Sequence, residues 1–155
     1  MTDLSQPESS HPERRATLAA LAHAEPRELA GGLKHVGAHA SYVDLRAPEV
    51  GLVMVRGRIG GDGAPFNLGE TTVTRASVQI ASGEIGVAYV LGRDQGKARL
   101  AALCDALWQT DRHRAAVERH VLTPIRRRLE LERTSKRAQS AATRAEFFTM
   151  VRGED

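Results

Sequence analysis

Residues 51–80 read GLVMVRGRIGGDGAPFNLGETTVTRASVQI. Short β-branched runs punctuated by glycine are the pattern of antiparallel strands joined by tight turns. The same texture extends over residues 40–92, which are read as a meander of about five strands: YVDLRAP (42–48), GLVMVRGRI (51–59), PFNLGE (65–70), TVTRASVQI (72–80) and IGVAYVLG (85–92). Turns are expected at GGDG (60–63) and SGE (82–84). In the second strand, alternation places Val53, Val55 and Ile59 on one face. Leu52 and Met54 share the other face with Arg56 and Arg58, so one face is apolar and the other turns basic.

Helices lie on both sides of this region. PERRATLAALAHA (12–24) spaces leucines among alanines, with Pro12 suited to a first turn. PRELAGGLKHVG (26–37) opens on Pro26 and closes on Gly37, although Gly31 and Gly32 weaken its middle. After the strands, DQGKARLAALCDALWQT (94–110) sets Leu100, Leu103, Leu107 and Trp108 on one helical stripe. The stripe continues through Val117, Val121, Leu122, Ile125 and Leu129, with Pro124 expected to start a new helix or bend the old one. Residues 132–145 contain no apolar side chain larger than alanine, so a helix there has little to bury. Phe147, Phe148, Met150 and Val151 follow as an apolar hook.

The resulting expectation is an α+β fold, an antiparallel sheet of about five strands flanked by N-terminal and C-terminal helices, with an extending C-terminal arm. Its organisation is a lead over 1–11, a single domain over 12–131, and a helical arm with its hook over 132–155. A chain of 155 residues with 41% hydrophobic and 26% charged residues is that of one globular domain. No stretch approaches the ~18 apolar residues of a spanning helix, and the N-terminus lacks the apolar segment of a secretory signal, so no membrane association and a cytoplasmic address are expected. The single cysteine, Cys104, excludes an internal disulfide and has no spaced partners for a zinc site.

Charge is uneven. Residues 111–144 hold ten Arg/Lys against four Asp/Glu, and residues 1–110 hold eleven against twelve. Such a basic stretch suits a solvated helix face, an acidic partner or nucleic acid. RGRIGGDGAPF (56–66) resembles an anion-cradling glycine loop in composition, but it lacks the Lys-Ser/Thr ending of a P-loop and leads into a strand, which also suits a plain hairpin turn. Arg56, Arg58, Arg75 and Arg93 are candidate anion-binding residues. Asp94 stands where it would cap the next helix. No nucleophile, acid/base pair or metal-ligand spacing can be assembled, so no catalytic residue, metal or cofactor is assigned.

The ordered strings RAPEVGLVMVRGRIGGDGAPFNLGE, TRASV, GVAYVLGRD and FFTMVRG together resemble the PhnG family, the G subunit of the bacterial phosphonate carbon-phosphorus lyase system. The similarity runs from about Pro12 to Gly153. It is close over the strands and tail, and between about Leu131 and Thr143 it is little more than basic helical composition. The resemblance implies an accessory subunit of a core complex with H, I and J subunits. That complex joins methylphosphonate to the ribose C1′ of ATP with release of adenine, in the catabolism of organic phosphonates. It implies that radical iron-sulfur chemistry resides in the J subunit and that the I subunit catalyses the first step, leaving the G subunit a structural or allosteric role. Phe147, Phe148, Met150 and Val151 are then the expected partner interface, with the I subunit as acceptor of the tail. Two rival readings are a basic nucleic-acid-binding module and a free-standing nucleotide-processing enzyme. The few aromatic residues argue against single-strand stacking, so no nucleic acid is expected as a partner.

Overall fold

The computed structural model describes residues 10–37, 41–59 and 62–151, with side chains over 12–37, 41–59 and 62–141. Two helices, α1 (Ser10–Ala22) and α2 (Pro26–Val36), precede an antiparallel sheet of order β1-β2-β3, formed by Tyr42–Arg58, Pro65–Ile80 and Ile85–Leu91. Then come α3 (Gln95–Trp108), α4 (Asp111–Val117), a π-helical turn (Glu118–Leu122) and α5 (Thr123–Val151).

The α+β class matches the expectation, but the sheet has three strands rather than about five. Segments 42–48 and 51–59 are one 17-residue strand, and 65–70 and 72–80 are one 16-residue strand. The gaps expected at residues 49–50 and 71 are paired across in continuous ladders, and the irregularities lie beside them. Pro48 lies in the register shift between Arg46 and Glu49. It stands on an edge strand, where a proline is tolerated beside a bulge. Gly69, opposite Val55, adjoins the shift that leaves Leu68 as an extra residue of β2. The tight turn at Ser82-Gly83-Glu84 is as expected, with Gly83 at φ 104° and its N–H donating to the Ile80 carbonyl.

One face of the sheet is covered by helices. Thr74, Ala76, Val78 and Ile80 of β2 and Ala88 and Val90 of β3 are buried there, whereas Arg75, Ser77, Gln79 and Tyr89 between them are half-buried or exposed. Helix α3 is the centre of the domain, buried from Ala101 to Trp108 without interruption. It is capped by Asp94, whose carboxylate accepts from the Lys97 N–H at 2.8 Å, as the sequence suggests. Contact between α3 and β3 is so close that a Cβ on Gly86 would stand 1.9 Å from the Ala102 carbonyl oxygen. Cys104 is fully buried in this helix, and burial pushes its thiol up to about 12.

The π-helical turn has a cause in the sequence. Pro124 has no N–H to give the His120 carbonyl, and the Thr123 N–H reaches back instead to Glu118. Helix α2 crosses at this point through Gly32, where a Cβ would meet the His120 carbonyl oxygen at 2.7 Å and Val121 at 2.6 Å. The glycine that weakens α2 as an isolated helix is what lets it pack here. The His35 and His120 rings stack beside the crossing with centroids 5.6 Å apart.

Candidate docking surface

The distal half of the β1–β2 hairpin leaves the body of the protein. β3 pairs with β2 only over residues 73–79, so beyond Val73 the sheet narrows to two strands. Leu52, Val53, Met54, Val55, Phe66 and Leu68 are all exposed on this ribbon, with Leu52 at 62%, Met54 at 52% and Leu68 at 67%. Among the described residues nothing covers either face of the ribbon. The Phe66 ring lies over Gly57 of β1, where a Cβ would stand 3.7 Å from it. An isolated two-stranded hairpin is at best marginally stable in water, and a contiguous exposed apolar patch marks an interaction site.

The four candidate arginines are distributed along the hairpin. Arg56 stands opposite Asn67 and Arg58 opposite Pro65, both exposed near the ribbon's tip. Arg75 pairs in register with Glu49 and Tyr89, and its Nε donates to Glu49 Oε1 at 2.5 Å. Arg46 donates to the same oxygen at 2.7 Å, and the two guanidinium groups hold the Glu49 carboxyl below the usual carboxylate range. From Asn67 to Arg75 the register runs eight residues, roughly 26 Å at ~3.3 Å per residue. The geometry therefore brings Arg56 and Arg58 near one another and sets Arg75 apart with a carboxylate partner. Arg93 is exposed just beyond β3.

Helix α5 is anchored at its start and bare from Glu130 to Ala141. Ile125 is buried, Arg126 donates to Glu118 at 2.7 Å, and Arg128 donates to both Glu28 oxygens at 2.8 and 2.9 Å and to the His23 carbonyl at 2.9 Å. Arg128 also lowers the pKa of Glu28 by that hydrogen bonding. From Glu130 to Ala141 every side chain is exposed, Leu131 included. The helix backbone continues to Val151, and the side chains of Phe147, Phe148, Met150 and Val151, the expected hook, lie outside the described residues.

Among the described residues no three His, Cys, Asp or Glu side chains are grouped to hold a metal, and no helix is long and apolar enough to cross a membrane. The ionised groups that meet in the interior are structural. Asp105, fully buried on α3, accepts from Arg14 Nε at 3.1 Å and Nη2 at 2.8 Å and from the Val87 N–H at 3.0 Å. Trp108 donates to Glu118 at 2.7 Å, and the Arg114 guanidinium lies 4.2 Å over its ring. Sequence reading missed the ribbon's exposure and the Arg14–Asp105 pair. The early end of β3 at Gly92-Arg93-Asp94 is the signal that could have found the first.

A chain with an uncovered apolar ribbon and an interior of structural ion pairs has the anatomy of an assembly component. The family described as "Phosphonate metabolism protein PhnG" matches residues 12–153. This chain belongs to the PhnG family. It is 48% identical over 143 residues to the "Alpha-D-ribose 1-methylphosphonate 5-triphosphate synthase subunit PhnG" of Rhizobium meliloti (strain 1021), an alignment covering 92% of this chain and 91% of that relative. The family match spans the residues of the ribbon and of α5.

Proposed function

We propose that this chain is a non-catalytic accessory subunit of the carbon-phosphorus lyase core complex, required for transfer of methylphosphonate to the ribose C1′ of ATP with release of adenine. The observation that carries the reading is the ribbon. Six or more half-exposed apolar side chains on a two-stranded hairpin are unfavourable in water and favourable against a partner, where the core of an obligate interface resembles a domain core cut in half. Family membership and the name of the relative supply the partner class, the other subunits of such a synthase, taken here as H, I and J. On this reading the isolated chain neither releases adenine from ATP nor consumes methylphosphonate, and its addition to the remaining subunits restores the coupled reaction. An adenine-release assay on the pure chain and on the reconstituted mixture tests this. Robust turnover by the chain alone would overturn the subunit reading.

The C-terminal arm is proposed as a second attachment, with the hook seated on the I subunit. Helix α5 has 29 residues, about 43 Å at ~1.5 Å per residue, and its exposed portion begins at Glu130. Burying four apolar side chains of the hook's size contributes ~6–12 kcal/mol before ordering costs. A chain ending at Ala145 should keep its thermal midpoint and fail to co-purify with the I subunit. If that truncation instead melts the domain while the surviving folded protein still assembles, the tail belongs to the local core.

A further inference from the structure

The second edge of the sheet carries an opening of a different kind. The Ile80 N–H donates to the Glu84 carbonyl and the Gly92 N–H to the Thr72 carbonyl, so the even-numbered residues of β3 face β2. Ile85, Val87, Tyr89 and Leu91 consequently point their N–H and C=O groups at the free edge. At its start this edge is closed by side chains. The Ile85 carbonyl accepts from Arg14 Nη2 at 3.2 Å and Gln109 Nε2 at 2.8 Å, and the Val87 N–H donates to Asp105. Further along, the Val87 carbonyl, both backbone groups of Tyr89 and the Leu91 N–H meet no described residue. Proteins normally blunt such an edge. Here only its first residues are blunted, and Tyr89 and Leu91 are 59% and 66% exposed.

Beside the open half lies an apolar cavity of about 130 Å³. It is lined by Leu18, Leu21 and Ala22 of α1, Ala88 and Val90 of β3 and Ala101 of α3, which places it between the helix layer and the strand edge. An apolar cavity of ~150 Å³ is large enough to bind benzene, so this one suits a single aliphatic side chain. The two features coincide on Val87–Val90, an open strand edge with a side-chain pocket beside it, and that is the arrangement by which an extended peptide adds to a sheet: main-chain bonds give affinity and a pocket for alternate side chains gives specificity.

We propose that the Val87–Leu91 edge and its cavity receive an extended segment of another subunit of the synthase complex as a fourth strand, with one aliphatic side chain inserted between α1 and the sheet. This rests on the reading of the chain as a complex subunit. A helix cannot satisfy the free groups of β3, because its own N–H and C=O groups are paired internally; an extended backbone can. Arg93 is exposed two residues past Leu91 and has no partner among the described residues, which favours a carboxylate at that end of the incoming segment. A second copy of this chain would bring the same β3 edge, whose Ala88 and Val90 side chains are already buried in its own core and are not free to enter the cavity.

Amide hydrogen exchange on the isolated chain and on the assembled complex tests the site. The Tyr89 and Leu91 N–H groups should exchange rapidly in the isolated chain and at least a hundredfold more slowly in the complex, with Ala88 and Val90 protected in both. Tyr89→Pro removes the outward N–H without touching the β2 ladder and should weaken incorporation at least tenfold, whereas Tyr89→Thr, which keeps the N–H, should not. If the chain assembles while Tyr89 and Leu91 stay fast, or if the proline variant enters as well as the threonine one, the strand-addition site is refuted and the subunit reading stands. Failure of the native chain to assemble at all refutes both. Slow exchange that appears in the isolated chain and rises with its concentration assigns the edge to a second copy and likewise overturns the proposal.

Discussion

Leu52→Asp/Met54→Asp should leave the isolated chain folded and abolish its entry into the complex. Both side chains are more than half exposed on the ribbon, so their replacement removes little from the monomer's core. Surface changes of this kind stay within about 0.5 kcal/mol each, which for a domain of this size is a shift of roughly 2–4 °C at most in the thermal midpoint. Against a partner the effect is different. Half of the ~1.5–3 kcal/mol available for each apolar side chain is lost, and each new carboxylate must be desolvated without a counter-charge, at ~1–3 kcal/mol or more. The sum exceeds ~3 kcal/mol, so affinity should fall more than a hundredfold. Co-purification with the remaining subunits, beside a melting curve of the pure variant, makes the comparison. A variant that assembles normally would show that the ribbon is not the docking surface.

Arg14→Ala should be the most destabilising single change among the ion pairs. Its guanidinium satisfies a fully buried carboxylate and the Ile85 carbonyl, and so ties α1 to α3 and to the start of β3. Removing the partner of a buried charge costs about 3–5 kcal/mol, because the Asp105 carboxylate stays behind without its guanidinium counter-charge. At ~2–4 °C per kcal/mol the thermal midpoint should drop by at least about 6 °C. Replacing both members, as in Arg14→Met/Asp105→Leu, should recover part of the loss but not all of it, since the Val87 N–H then lacks an acceptor. Thermal unfolding of the single and double variants measures the difference. Equal loss in both would mean that the shape of the site, and not the unpaired charge, sets the cost.

Much of the fold could be read directly. Alternating β-branched residues over 72–80 and 85–91 announced strands, Pro26 and Gly37 bounded α2, and the Gly92-Arg93-Asp94 sequence announced the cap of α3. The strand count could not be read, because Pro48 and Gly69 are local breakers in any single-sequence argument. Whether a breaker ends a strand or merely bends it depends on a neighbour to hold the ladder together across it, and that neighbour is distant in the chain: Glu49 stands opposite Arg75, and Val55 opposite Gly69. Arg14 and Asp105 lie 91 residues apart, and nothing local couples them.

For the candidate surface the division is sharper. By itself the sequence determined that 51–59 and 65–70 are extended and apolar, that the chain resembles the PhnG family, and that residues 132–145 have little of their own to bury. It could not determine that both faces of the hairpin are bare. Period-two alternation reports which side chains share a face, and it is the same whether that face meets a helix or water. Coverage was decided by the tertiary structure, through lengths that do not match: β3 stops at Leu91, opposite Val73, while β2 runs on to Pro65, and the first eight residues of β2 are left beyond the reach of the third strand.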